Sequence, residues 1–251
     1  STLIRPGDTF MKASHSDQQA ILEVQRLDDQ LASLAQREAT LPETSALNTV
    51  VIKRNNVRDL RIAAETERTD VKRELSRAEG DVEQIVTRIQ RDEARLNSGT
   101  GTPKELEQTQ HELVTLGVRR AELEEAELTI MVQVEGITNR IDELTAEEER
   151  LNTEIADLEI KRENALTIII NERSGVSEKR ASIIAPIADD LKNLYAKVAA
   201  DNNGNGAAML VGNECKGCRL TINTTEVGRI ATLPAEEVVR CEQCRCILVR
   251  E

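Results

Sequence analysis

The chain has 251 residues, a net charge of -12 and 31% charged residues, but only 1% aromatic residues. This mixture excludes a large globular core and favours long helices, whose narrow apolar seams leave their other faces in water. No apolar run approaches the roughly 18 residues of a membrane span, so the sequence predicts no membrane segment.

The amino-acid composition of the chain changes along its length, and these changes predict its domains. Residues 1–11 differ in character from the rest of the chain, and Met11 resembles a native start, so we expect an expression leader there. We expect a coiled-coil hairpin over residues 12–174 and a connecting helix over residues 175–200. Because two C-x2-C pairs follow, we expect a zinc ribbon over residues 201–251. The fold class expected is mainly α, with a small β ribbon at the C-terminal end.

The first predicted helix covers residues 16–39 and has an apolar seam. Its seam residues are Val24, Leu27, Leu31 and Leu34. Leu41-Pro42 is expected to end or kink this helix, because proline cannot donate the backbone hydrogen bond.

Two heptad seams come next, with apolar residues spaced alternately three and four apart. The first runs over residues 71–96 and the second over residues 106–169. The second lacks internal proline, so it predicts a helix of about 65 residues and on the order of 100 Å. Apolar seam positions left over also allow a homodimer.

Residues 97–105 separate the two seams and predict a chain reversal. Glycines supply turn conformations, Thr102 can cap the next helix, and Pro103 suits its first position. Glu105 lies where a capping-box acid reaches back to the cap. The two long helices should therefore form an antiparallel hairpin.

Charge supports that hairpin and predicts its register. With a turn near residue 100, residues 53–77 lie beside residues 124–148. The first segment is rich in Lys and Arg and the second in Glu and Asp, so opposite charges face each other.

After residue 174 the expected elements become short. Ser174-Gly175 is the first helix-breaking pair after the second seam. A third helix is expected after it, and Pro186 should kink that helix. The apolar runs at residues 207–211 and 247–249 suit the strands of a ribbon.

All five cysteines lie after residue 214, and four of them form two C-x2-C pairs. Each pair points two sulfurs at one ion, and two pairs complete a tetrahedral zinc site. Clustered pairs without a signal-peptide pattern favour metal over disulfide and a reducing cytoplasm. The predicted structural zinc ligands are Cys215, Cys218, Cys241 and Cys244.

Other chemistries fit these cysteines less well. A redox pair should open a helix in a βαβ unit, and a catalytic zinc needs an open position or a water-activating glutamate. Neither pattern is present, so we expect no enzyme. Cys246 is interpreted as a spectator on a strand, with replacement of Cys244 or a redox role as alternatives.

Basic residues flank both cysteine pairs and raise the question of nucleic-acid binding. They are Lys216, Arg219, Arg240 and Arg245. Acids slightly outnumber bases after residue 200, and no aromatic side chain is available there for base stacking. We therefore interpret these four residues as a possible contact surface for a protein partner or, less favoured, for RNA or DNA.

Several short motifs occur in an order that resembles a known family. They are Leu41-Pro42, Arg95-Leu96-Asn97-Ser98-Gly99, Pro103-Lys104-Glu105-Leu106, Gln110-His111-Glu112-Leu113, Leu123-Glu124, Tyr195 and the two cysteine pairs with Ile247-Leu248. Together they are similar to bacterial coiled-coil proteins that end in a C4-type zinc ribbon, a family classed as a domain of unknown function. The chain departs from that pattern at Arg245, where glycine is usual, and in its additional Cys246.

The resemblance implies a non-enzymatic adaptor or chaperone. Family members are tied to an alternative sigma factor, to flagellar or secretion components, or to RNA. The expected function is therefore protein binding, and nucleic-acid binding is the alternative.

Overall fold

The computed structural model describes residues 11–250, in five helices and four strands. The predicted leader over residues 1–11 lies outside the described residues except for Met11. The helices are α1 (His15–Ala39), α2 (Pro42–Asn97), α3 (Pro103–Ile184), α4 (Asp189–Asp201) and α5 (Thr224–Thr232). The strands are β1 (Ala207–Val211), β2 (Glu214–Cys215), β3 (Val239–Arg240) and β4 (Ile247–Val249).

The described residues divide into two compact units. One contains residues 43–160, and the other combines residues 11–42 with residues 161–250. In the part of the chain that the structure describes, no helix is both long enough and apolar enough to cross a membrane.

The unit of residues 43–160 is an antiparallel helical hairpin. Gly99 and Gly101 reverse the chain with φ angles of 63° and 141°, which favour glycine. The Thr102 backbone N–H donates to Glu105 Oε2 at 2.7 Å, so the expected capping contact is present. α2 and α3 then pack side by side as the heptads predicted.

The packing and charges of this hairpin give its register. Ala64 is fully buried against Ile137 and Ile141. Lys53 Nζ lies 2.9 Å from Glu147 Oε1, and this ion pair joins the two segments that the charge pattern placed side by side. A second such pair joins Arg61 Nε to Glu148 Oε2 at 2.8 Å. The register predicted from charge is therefore confirmed.

In the other unit, α1 packs on the last part of α3. The apolar residues Leu34, Leu41 and Ile169 form one buried cluster. Arg173 Nη1 lies 2.8 Å from Glu38 Oε2 beside it. The helix predicted for residues 16–39 is thus a separate element that ends before Pro42.

The helix boundaries after residue 170 differ from the sequence prediction. α3 continues through Ser174-Gly175 to Ile184, and α4 begins only at Asp189, so the connecting helix expected over residues 175–200 is interrupted. Val176 packs against the cluster that contains Leu34, and this tertiary contact outweighs the weak helix propensity of Gly175. The break falls instead around Pro186, which the sequence marked as a kink.

The four strands form one small sheet in the order β2-β1-β4-β3. β1 with β2 and β3 with β4 are antiparallel pairs, and the parallel pairing of β1 with β4 joins them. The segment before α1 extends this edge, because the Val238 N–H donates to the Met11 carbonyl at 3.0 Å. The fold class is therefore confirmed: a long helical hairpin with a small C-terminal strand region.

Candidate metal centre

The two cysteine pairs lie beside the two edge strands of this sheet, β2 and β3, and their sulfur atoms meet at one point. Cys215 ends β2, and Cys241 directly follows β3. The four sulfur atoms of the predicted ligands lie within 4.8 Å of one another. Two of the separations across the pairs, Cys215 to Cys244 and Cys218 to Cys241, are each 3.9 Å.

These separations suit a tetrahedral ion. With a metal–sulfur bond of about 2.3 Å, the edges of a thiolate tetrahedron measure about 3.8 Å. The four cysteines can therefore hold a metal ion with small adjustments of their side chains. A set of four thiolates selects zinc or iron among common metals, because both accept soft sulfur ligands in this geometry.

Each cysteine pair is shaped by the same backbone turn. The Arg219 N–H donates to the Cys215 carbonyl at 2.7 Å, and the Arg245 N–H donates to the Cys241 carbonyl at 3.0 Å. Both arginines have positive φ angles, 59° and 65°. The family pattern marked Arg245 alone as a departure from glycine, but the two turns carry a left-handed arginine at equivalent positions.

Gly217 allows the first pair to pack closely against the loop before β1. A Cβ atom at this position would lie 2.7 Å from Asn205 Nδ2 and 3.0 Å from Ala208 Cβ. The first contact is shorter than side-chain carbons adopt, so a larger residue would require the Asn205 side chain to move.

The site lies inside an apolar core rather than on its surface. Cys215 and Cys241 are fully buried, while Cys218 and Cys244 are partly exposed. The same core contains apolar side chains from the sheet and from two helices. They are Val198, Leu210, Ile222, Ile230, Val239 and Leu248. α5, which the sequence analysis did not predict, supplies Ile230 to it.

The surroundings shift the thiol pKa values of the metal-free cluster in opposite directions. Burial raises the pKa of Cys241 to about 12. Burial also opposes ionisation of Cys244, but hydrogen bonds from the Cys246 backbone and from neighbouring thiols lower its pKa to about 7. The surroundings of Cys244 therefore favour its thiolate near neutral pH.

Cys246 lies against this cluster, which its interpretation as a spectator on a strand did not anticipate. It precedes β4 and is fully buried. Its sulfur lies 3.2 Å from that of Cys244 and 3.6 Å from that of Cys215. The C-x-C spacing from Cys244 was the available signal for this contact.

The four basic residues near the cysteines differ in how freely they face solvent. Lys216, Arg219 and Arg245 are exposed, and Arg240 is partly buried. Lys216 Nζ lies 3.0 Å from Glu214 Oε1, and Arg240 Nε donates to the Arg245 carbonyl at 2.9 Å.

Comparison with known proteins shows what the whole chain is similar to. The family model described as the CT398-like coiled coil hairpin domain matches residues 24–203. An uncharacterised protein of Mycobacterium tuberculosis is 34% identical over 247 residues, which cover 96% of this chain and 98% of that protein.

Two solved structures share the fold. A structure from Mycobacterium smegmatis has a TM-score of 0.85 and 31% identity, and the match covers 96% of this chain and 100% of that one. CT398 from Chlamydia trachomatis has a TM-score of 0.70 and 17% identity, with 94% and 98% covered. The second likeness supports the fold alone.

Proposed function

Because the chain belongs to the CT398-like coiled coil hairpin family, we propose that it is a non-enzymatic adaptor or chaperone that binds protein partners. The observation that carries this proposal is the set of large apolar side chains exposed on the hairpin. Val114 is 70% exposed, Val132 67% and Ile52 61%. Exposed apolar residues grouped on a rigid helix are typical of surfaces that bind other proteins.

The metal in this proposal is zinc, and its role is structural. Four thiolates occupy all four coordination positions of a tetrahedral ion, so no position remains for a water or a substrate. Bound zinc supplies folding free energy of roughly 10 kcal/mol in small cysteine-rich domains. Here Cys215 and Cys241 would tie the two strand pairs of the sheet through one ion.

The chemistry of the five thiols also supports a cytoplasmic location for the protein. Oxidised cysteines do not bind zinc, and the five thiols are free in this structure. A reducing cytoplasm is the compartment in which this site would persist.

Nucleic-acid binding is the second candidate, and one observation favours it. Lys216, Arg219 and Arg245 are exposed around the same two turns. Against it, Lys216 is paired with Glu214. A four-thiolate zinc centre also adds a charge of about -2 beneath these residues, which would repel phosphate.

The test is a crosslinked capture from a lysate of the source organism. Wild type is compared with Cys241→Ser/Cys244→Ser and with Arg219→Glu/Arg245→Glu, and zinc, bound protein and bound nucleic acid are quantified in each. The proposal expects specific proteins bound to wild type and to the arginine variant. Nuclease-sensitive material that is lost in the arginine variant and above about 200 mM salt would favour the second candidate instead.

A further inference from the structure

A second apolar stripe runs along α3, separate from the seam that packs on α2. It contains Val114, Val118, Leu128 and Val132, which are 70%, 59%, 60% and 67% exposed. The exposed Ala121 lies between them and keeps the alternating spacing of four and three. The stripe extends about 27 Å along the helix.

The stripe faces away from the hairpin seam. Residues two positions apart on a helix point about 200° apart, so Val118 lies opposite Leu116, and Val132 lies opposite Ile130. Burial agrees with this geometry, because Leu116 is 7% exposed and Val118 is 59% exposed. Nothing in the described hairpin covers the stripe.

Acidic residues accompany the stripe. Glu125 lies within it and Glu135 at its C-terminal end. Within residues 11–250, neither of these carboxylates forms an ion pair. The exposed side chains of Arg119 and Arg120 reach the two borders of the stripe, where they bind Glu122 and Glu124 at 2.9 Å and 2.7 Å. Among the described residues, the face therefore keeps two unpaired carboxylates, Glu125 and Glu135, beside ion pairs that are already formed.

A hollow opens beside the stripe between α2 and α3. Its volume is about 360 Å³, and Gly117 and Ala121 form the side towards the stripe. Ile89 and Leu113 supply apolar lining, Glu93 supplies a carboxylate, and Arg120 and Glu124 supply an ion pair. The small residues Gly117 and Ala121 leave room for a long side chain with an apolar stem, and its cationic end can reach Glu93.

A second copy of this chain fits the stripe poorly. In a parallel pair, Glu125 would face Glu125 of the other copy inside the seam. An antiparallel pair centred on the stripe would place Glu125 opposite Ala121 of the other copy, without a cation. The first arrangement places like charges together and the second leaves a carboxylate unpaired in an apolar seam, so both disfavour pairing.

From these contacts we infer that the stripe of Val114, Val118, Leu128 and Val132 binds an amphipathic helix of a protein partner, with Lys or Arg flanking its apolar seam. This inference rests on the proposed protein-binding function and names the chemistry of the partner. The apolar seam of the partner helix covers the stripe, and its cations meet Glu125 and Glu135. One long cationic side chain enters the hollow at Gly117.

The test uses three labelled synthetic peptides and the full chain. The first has leucines at heptad spacing flanked by lysines, the second has the same leucines flanked by glutamates, and the third is a scramble of the first. Fluorescence anisotropy should show the first binding at least about tenfold tighter than the other two. Equal binding of all three would overturn the inference.

Matched variants locate the binding surface. Val118→Asp/Leu128→Asp should weaken binding of the lysine-flanked peptide at least about tenfold. Ile168→Asp/Ile170→Asp changes two residues of α3 outside the stripe, 54% and 49% exposed, and should leave binding unchanged. Circular dichroism of both variants checks that the helices remain folded. Equal effects of the two variants would contradict the inference.

Two further outcomes separate this inference from the proposed function. If the lysine-flanked peptide does not bind, yet wild type and the stripe variant capture the same proteins from lysate, the inference fails and the adaptor function stands. If no form captures protein, the adaptor function fails. A dimer in sedimentation that only the stripe variant abolishes would assign the stripe to a second copy and overturn the inference.

Discussion

Gln25 is a buried amide that connects α1 to the start of β1. It is 6% exposed. Its Oε1 accepts hydrogen bonds from the backbone N–H groups of Gly206 at 2.7 Å and Ala207 at 3.1 Å. Its Nε2 donates to the Gly204 carbonyl at 2.9 Å. One side chain thus satisfies backbone groups that no strand pairs with.

Replacing Gln25 should therefore destabilise this unit. Gln25→Leu leaves two backbone donors and one acceptor without partners, and each unsatisfied buried group costs about 1–3 kcal/mol. We expect a loss of at least about 2 kcal/mol in urea unfolding followed by tyrosine fluorescence. Gln30→Leu, on the exposed face of the same helix, is the control and should change stability by less than about 0.5 kcal/mol.

Tyr195 is the sole tyrosine of the chain and lies in the same buried network. Its hydroxyl donates to Asp28 Oδ2 at 2.7 Å. The pKa of Tyr195 is raised well above its usual value of about 10. Burial is the larger cause, and the hydrogen bond to the Asp28 carboxylate is the next.

This shift predicts an alkaline limit to stability. A raised pKa means that the unfolded tyrosine loses its proton first, so the stabilisation is complete below about pH 10 and declines as the pH rises above it. Phenolate absorbance of the native protein should appear together with unfolding, above the range in which the urea-unfolded chain titrates. A reversible titration near pH 10 without loss of helix would refute this assignment.

At the scale of elements, the α2–α3 hairpin buries a small side chain completely at one of its contacts. Ala64 is 0% exposed and packs between Ile137 and Ile141, whereas its neighbour Ala63 is exposed. The methyl side chain allows the two helices to approach there.

A larger residue at this contact should separate the helices. Ala64→Leu is expected to cost about 1–3 kcal/mol through overpacking. Ala63→Leu adds the same atoms on the solvent side and should be nearly neutral. Thermal unfolding followed by circular dichroism compares the two, and equal melting temperatures would contradict the packing seen here.

The elements that local patterns encode were predictable from sequence, and those that depend on distant contacts were not. Heptads, turn residues and charge together predicted the hairpin and its register. The continuation of α3 through Gly175 depends on packing of Val176 against α1, which no local pattern records. The cysteine spacing likewise predicted the four-sulfur cluster, but the contact of Cys246 with two of its sulfurs depends on the fold of the whole sheet.

At the scale of the molecule, the two units have separate means of stabilisation. The hairpin of residues 43–160 has its own apolar contacts and ion pairs. The C-terminal sheet is small, and its core includes the proposed metal ligands.

Metal removal should therefore affect the two units differently. A strong chelator is expected to alter the fluorescence of Tyr195, which packs with Ile247 and Val249 of the sheet. Most of the helical circular dichroism should remain, because residues 43–160 do not contain the site. Parallel loss of both signals would show that the units unfold as one, and no change in either would show that the sheet does not need the metal.

The division of the ligands between two strand pairs has a kinetic consequence. Each C-x2-C turn is local and can capture an ion before the parallel pairing of β1 with β4 brings the turns together. If the ion is the zinc proposed above, excess zinc would load both turns of one chain, and one ion would have to leave before the sheet closes. Refolding should therefore be fastest near one zinc per chain and slower above it, so the cell's free zinc concentration would set how quickly newly made chains mature.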